Sequence, residues 1–577
     1  MTDFKQLTAN ALAAVSELEA DFVYGLLEIP PNPEMGDYAL PCFQFAKTLR
    51  KAPAAIAADL AGQFSELPSF LSEVRQTGAY LNFFLNSSFY TADVLASVLD
   101  DAYVPGAATL GEEQTVIVEY SSPNIAKPFH LGHAFTTILG ESIARIYDRL
   151  GYKTERFNHL GDYGTQFGKL MVAYDLWADE ERLTASPIEE LTRIYVKFHQ
   201  EAEEHPELED QARDRFRRLE AKEETEVALW TRFRELSLQE FSRIYDDLSI
   251  KFDNVNGESF YSDYIPAVID ELREKNLLEE SRGAQVVMLE EEKLPPAIML
   301  KSDGATIYAS RDVAAILWRW KNYHFAKNVY VVGVTQALHF NQVFNVVKKM
   351  GYDCADDCVH VTFGTVRFPE GKFSTREGNS ILMEDLLRET IAKTREIIAQ
   401  NNEERGSLME ASQIDEIAKK VGLAAVQYTF LKTGRDRDIV FTWDEMLDFN
   451  GDTAPYLLYT VARAKSILRR AKTEDVDLTL TVEQLGLLNG DQEFAIARQL
   501  QDFGDSVKQA ARAHEPFMVA RHVSQLARLF NKYYNNVTIL GTEDQPLRQA
   551  RLALLKAVCK VMEEGLGLLG IQTVERM

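Results

Sequence analysis

Cysteine is scarce in this chain of 577 residues: only Cys42, Cys354, Cys358 and Cys559 occur. So scattered, they supply no disulfide framework and suggest a reducing compartment. Cys354 and Cys358 make half of a zinc site with no second half, so all four thiols read as spectators. No apolar run approaches the ~20 residues needed to span a bilayer. The opening MTDFKQLTANALAAV lacks the basic n-region and cleavage site of a signal peptide. A cytoplasmic protein without membrane contact is expected. Basic residues are also in the minority, 62 Lys and Arg against 88 Asp and Glu, a net charge of −26. That total speaks against a polyanionic partner unless positive charge is gathered locally.

The chain is long enough for several domains. Residues 1–110 read as a small α+β domain. Phe4, Leu7, Ala11 and Val15 make a helix stripe, Pro30–Ala39 a turn-rich loop, Tyr80–Leu85 a strand and Val104–Glu113 a linker. Residues 111–445 read as an α/β domain and 446–577 as all-α.

The centre of the α/β domain is EYSSPNIAKPFHLGH, Glu119–His133. It follows the strand-like Val116–Val118. It opens a helix whose apolar positions Leu139, Ile143, Ile146 and Leu150 recur at helical spacing, with Gly151 as the stop. A loop running from a strand into a helix N-terminus favours an anion, through free backbone N–H groups and the helix dipole. His130 and His133 sit one turn apart at that end. Gly132 between them leaves room for a nucleotide against the backbone. Two such imidazoles also suit a metal or a plain surface. Their place after a strand, with Asn124 and Lys127 just upstream, favours the nucleotide.

Downstream, Lys153–Phe157 reads as a strand. Asn158–Leu170 carries Gly161, Gly164 and Gly168 around Asp162 and Gln166, for close packing or for ligand contact. Residues 176–285 are rich in Glu, Arg and Lys at helical intervals and read as a helical insertion with solvated faces. The sheet resumes near Pro296, with strands at Asn328–Val334 and Val359–Gly364 and a helix between them ending at Gly351. This is the strand–helix–strand logic of a parallel sheet that binds ligands at its carboxyl ends. A loop, KFSTREGN (Lys372–Asn379), could clamp a triphosphate. In the C-terminal third, Thr453–Lys472 holds five basic residues and no acidic one. Tyr456, Tyr459, Arg463 and Arg470 share one helix face there, suited to unpaired bases and phosphates. Tyrosines in a core and arginines for solubility are the competing reading.

Ser121-Ser122-Pro123-Asn124, Ala126-Lys127-Pro128 and His130-Leu131-Gly132-His133 closely resemble the first motif of the class I aminoacyl-tRNA synthetases, in particular the bacterial-type arginyl-tRNA synthetases, and the likeness runs through the whole chain. It implies a Rossmann-like catalytic domain at 111–445 split by the helical insertion, an N-terminal additional domain at the tRNA elbow, and an anticodon-binding helical domain. It implies ATP as substrate with Mg²⁺, no resident cofactor and no metal held by residues of its own. The implied partners are L-arginine and tRNA(Arg), bound by a monomer. Glu119, Ser122, Pro123, Asn124, His133, Tyr308, Asp312 and Gln336 match positions that bind arginine. ATP is assigned to His130, Gly132, His133, Lys127, Lys372 and Ser374. Catalysis falls to His130, His133, Lys127, Lys372 and Arg376. The second motif departs from the family's Lys-Met-Ser-Lys-Ser, with Thr375 in place of the second lysine and Arg376 in place of the last serine. Lys127 is the candidate for the missing charge. Tyr456, Tyr459, Arg463, Met577, Asn82 and Phe84 are assigned to tRNA. The family's need for tRNA in the activation step is expected here too. A small-molecule nucleotidyltransferase shares the His-x-Gly-His site but has no use for the basic aromatic helix. A non-catalytic RNA-binding relative would have lost the phosphate-site residues that this chain keeps.

Overall fold

The computed structural model describes residues 1–302, 304–367, 382–404, 409–473 and 480–577. At the centre lies a four-stranded parallel sheet built from β4 (Thr115–Glu119), β5 (Lys153–Phe157), β9 (Lys327–Val331) and β10 (Cys358–Val361), in the order β10-β9-β4-β5. Val116, Ile117 and Val118 are buried because β4 is an inner strand covered on both faces. Each contributes about 1.5–3 kcal/mol through removal of its side chain from water. The helix Leu131–Arg149 crosses from β4 to β5, and Gly151 (φ 84°) follows it. From β4 the chain winds first toward β5, then returns on the other side through β9 and β10. The strand order therefore reverses between β4 and β9. A crevice opens outside the carboxyl ends at such a reversal.

The N-terminal part is an antiparallel sheet of β1 (Tyr38–Pro41), β2 (Leu71–Thr77) and β3 (Tyr80–Leu85), in the order β1-β3-β2, with short helices. β1 begins within the last two residues of the stretch read as loop, Tyr38 and Ala39. Four residues between Gly36 and a 3-10 turn are too few to show a period. The helix Ser87–Leu99 that follows packs on C-terminal helices rather than on this sheet alone. Ser87 Oγ donates to the Asn489 carbonyl at 3.1 Å, and Lys560 Nζ to the Val98 carbonyl at 2.9 Å.

The charged stretch 180–247 is helical, as its spacing predicted. The insertion does not stay helical to its end, however. β6 (Glu279–Ser281), β7 (Ala284–Val287) and β8 (Ala297–Leu300) form a small antiparallel sheet. Arg282 (φ 52°) and Gly283 (φ 83°) make the two-residue turn between β6 and β7, both left-handed as a tight hairpin requires. The C-terminal third is a helical bundle that includes Ala454–Thr473, Phe517–Asn536 and Gln545–Leu568. All four cysteines are buried and free.

Candidate active site

Three residues of the loop after β4 have left-handed backbones without being glycine: Ser121 (φ 70°), Ser122 (φ 46°) and Ala126 (φ 60°). Such strain persists only where the surroundings fix it. Here the fixing groups come from outside the loop. Ser121 Oγ lies 2.8 Å from the Tyr245 hydroxyl, Asn158 Oδ1 accepts from Ser122 N at 3.1 Å, and Ser237 Oγ accepts from Ala126 N at 3.0 Å. Ser237 and Tyr245 belong to the insertion helix Glu224–Asp247, which therefore buttresses the site from behind. Asn124 bridges to Gly161, where a Cβ would stand 2.2 Å from Asn124 Oδ1, so close packing is the reason for that glycine. Asp162 has a structural role as well: it accepts from Ser259 N at 2.9 Å and pairs with Arg234 at 3.3 Å.

The two histidines cap the Leu131 helix. Nδ1 of His130 accepts from Gly132 N at 3.1 Å, and Nδ1 of His133 accepts from His130 N at 3.4 Å. Both Nδ1 atoms are acceptors, so each ring carries its proton on Nε2 and offers that N–H as a donor. Burial, with the Lys127 charge adding to it, lowers the pKa of His130, and the same causes with His130 itself lower His133 to about 3. Both rings are neutral at neutral pH. A Cβ at Gly132 would meet the His130 ring at 2.9 Å, so the glycine also leaves that ring its place over the helix end. Lys127 is exposed beside them.

Glu119 closes β4 and is 6% exposed. Its Oε2 lies 2.5 Å from Nη2 of Arg319 and 3.8 Å from Nδ1 of His159. Asp312, on the helix Tyr308–Tyr323, pairs with Nε2 of His339 at 2.5 Å. Burial acts to raise its pKa, and that bond together with the charges of His339, His159 and Arg311 outweighs burial and holds Asp312 below the usual carboxylate range. Tyr308 is 60% exposed under the Arg311 guanidinium, and Gln336 is exposed at the end of the 3-10 turn Val334–Gln336. Ser122 and Asn124 are half-buried and Pro123 is buried in the strained loop. Arg319, His159 and His339 were not singled out from sequence. One signal was there: Asp312 and Arg319 are seven residues apart, on one helix face.

Lys372, Ser374, Thr375 and Arg376 lie outside the described residues. Leu382, which follows that segment, pairs with His130, and Met383 N donates to the Phe129 carbonyl at 2.9 Å.

On the C-terminal bundle the Arg463 guanidinium lies 4.6 Å from the Tyr459 ring and 5.0 Å from that of Tyr534. Asn531 donates to the Tyr456 hydroxyl at 2.9 Å and accepts from Arg463 at 3.3 Å. Tyr456, Tyr459 and Arg463 thus form one cluster. The positive surface is smaller than the sequence suggested, because Glu575 takes up Lys465 at 2.6 Å and Arg469 at 3.0 Å. These bonds latch the terminal segment to the Ala454 helix, and Met577 packs partly against the core. In the N-terminal sheet the expectation for Asn82 is corrected. It is 1% exposed between β1 and β2, so its side chain presents nothing to RNA. Phe84 is half-exposed with the Arg75 guanidinium 4.4 Å from its ring centre.

Comparison with known proteins bears on the whole chain. Residues 95–443 match the family described as tRNA synthetases class I (R), catalytic domain, residues 457–577 the DALR anticodon binding domain, and residues 2–85 the arginyl tRNA synthetase N terminal domain. The arginine–tRNA ligase of Clostridium beijerinckii is 49% identical over 575 residues, and that of Clostridium perfringens 48% over 576, each covering 100% of both chains. Among solved structures, Thermus thermophilus arginyl-tRNA synthetase superposes with a TM-score of 0.79 at 25% identity over 100% of both chains. The Plasmodium falciparum enzyme gives 0.78 at 24%, covering 96% of this chain and 94% of its own.

Proposed function

The chain belongs to the arginyl-tRNA synthetases of class I, and on that premise we propose how its crevice carries out the activity. The protein is an arginine–tRNA ligase: it activates L-arginine with ATP to arginyl-adenylate and passes the arginyl group to the 3′ end of tRNA(Arg), releasing pyrophosphate and AMP. In the first step the arginine carboxylate attacks the α-phosphate. In the second, the terminal ribose hydroxyl takes the arginyl group. Neither step needs a protein nucleophile, so rate comes from positioning and from donors aimed at developing charge.

Two sets of side chains near the reversal between β4 and β9 support the reading. One set is two Nε2–H donors, fixed in tautomer by the helix cap they form. The other is two carboxylates suited to a guanidinium fork. His130 and His133 donate to phosphate or adenosine oxygens, and Lys127, Lys372, Ser374 and Arg376 bind the triphosphate. Glu119 and Asp312 hold the arginine side chain. Ser122, Pro123 and Asn124 shape the loop beside it, with Tyr308 and Gln336 at its mouth. Mg²⁺ arrives on the ATP phosphates. Tyr456, Tyr459, Arg463 and Met577 face the anticodon arm, and Phe84 the elbow. A monomer in the cytoplasm completes the proposal. No helix among the described residues is long and apolar enough to cross a membrane. Asp312→Ala tests the substrate assignment: loss of arginine-dependent exchange with ATP binding retained supports it, and unchanged arginine dependence removes it.

A further inference from the structure

We propose that Arg319 is a positioning residue for arginine: an internal guanidinium that holds Glu119 by one carboxylate oxygen so that the other receives the guanidinium of the substrate. The inference rests on the reading of Glu119 as an arginine-binding residue.

Arg319 is fully buried, with 0% exposure. Its charge sits among the rings of Phe157, Tyr330 and Tyr261, with centres 4.7, 5.4 and 5.7 Å away. Burial opposes that charge, and Glu119 with the surrounding tyrosines more than compensates. Nη2 reaches Glu119 Oε2 and stands 3.4 Å from His159 Nδ1, whereas Nε and Nη1 have no hydrogen-bond partner. A buried ion pair left this incompletely bonded is weak support for stability, since apolar residues of similar volume often do as well. Its use is geometric. Among the described residues the contacts of the Glu119 carboxylate all run through Oε2. Oε1 keeps its lone pairs for an outside donor.

The helix Tyr308–Tyr323 supplies both Asp312, which meets the substrate directly, and Arg319, which holds Glu119 two turns later. One rigid helix therefore sets the spacing of the two carboxylates, as a planar fork demands. Charge adds a second filter. The carboxylates of Glu119 and Asp312 attract a substrate guanidinium, whereas a neutral isostere such as citrulline offers them no charge. Lysine has the charge but not the fork.

The test is steady-state aminoacylation by the full chain carrying Arg319→Lys or Arg319→Ala. The arginine KM should rise about tenfold or more while the ATP KM stays within about twofold, the loss of roughly one charge-assisted contact. Millimolar guanidinium chloride should restore the arginine KM of Arg319→Ala by refilling the aromatic cage. An unchanged arginine KM in either folded variant overturns the proposal, as does a parallel rise of both KM values, the mark of a purely structural role. Should Arg319→Ala fail to fold, Arg319→Lys keeps the charge, loses the fork and decides by the same split. A wild-type chain that does not activate arginine would remove the substrate reading instead, so the two failures are distinct.

Discussion

His130 and His133 stack face to face, with ring centres 3.8 Å apart and planes 19° from parallel. Two imidazolium ions at that distance would repel, and burial lowers both pKa values so that the rings stay uncharged. The pair acts through fixed N–H donors and not through titration.

From this follows the effect of removing one donor. His130→Ala should lower ATP–pyrophosphate exchange by about 10²–10³-fold, the usual loss for a donor to developing oxyanion charge. Its stability loss should be only about 1 kcal/mol, that of a helix cap. His130→Asn can keep the cap without the Nε2–H. It should fold like wild type and exchange like the alanine variant. Near-normal exchange in both would take His130 out of the chemistry.

The Asp312–His339 pair predicts a pH dependence. Burial opposes the His339 charge, but the bond to Asp312 and its charge raise the pKa above the ordinary histidine value. Below that pKa an imidazolium offsets the Asp312 charge, and above it the carboxylate faces the substrate alone. The arginine KM should therefore fall as pH rises through that value, and His339→Gln should flatten the profile. A wild-type arginine KM that is flat or rises over the same range would count against Asp312 as a ligand.

Much of this arrangement was legible in the sequence, and the limits have physical reasons. β3 and β5 carry clear strand patterns, and the Leu131 helix shows its period, its stop and its cap residues. β1 and β6 are four and three residues long, too short to show a period. The loop after β4 was recognisable from its residues, but its supports Tyr245 and Ser237 lie more than 100 positions away and are joined to it only by folding. Arg319 lies between Trp318 and Trp320, where a charge reads as a solvated helix face. That it is buried follows from the aromatic residues contributed by β5, β9 and the segment at Tyr261. Asn82 misled for the converse reason: an amide in a strand suggests a surface, and this one points inward.

On the C-terminal bundle, Arg463→Ala should raise the KM for tRNA about tenfold, since a guanidinium stacked on two rings offers both charge and a face to bases. The KM for ATP should hold. Phe84→Ala should weaken tRNA binding and Asn82→Ala should act on stability alone. Equal tRNA affinity across Arg463→Ala, Phe84→Ala and wild type would place the RNA elsewhere.

Acid should unfold the protein early. Burial lowers His514 and His522 to about 4 and His133 to about 3. The unfolded chain takes up these protons near pH 6.5, where the folded chain does not. Stability is therefore full above about pH 6.5 and falls with acidification, by up to ~1.4 kcal/mol per pH unit for each histidine. Urea midpoints at pH 7 and pH 5 measure the slope, which His522→Gln should reduce. An unaltered slope in that variant would show that other groups set it.

The most direct measurement is ATP–pyrophosphate exchange by the wild-type chain with each amino acid in turn, with and without tRNA. Exchange with arginine alone, dependent on added tRNA, is the predicted result. Exchange with another amino acid and none with arginine would contradict a crevice whose carboxylates hold a guanidinium.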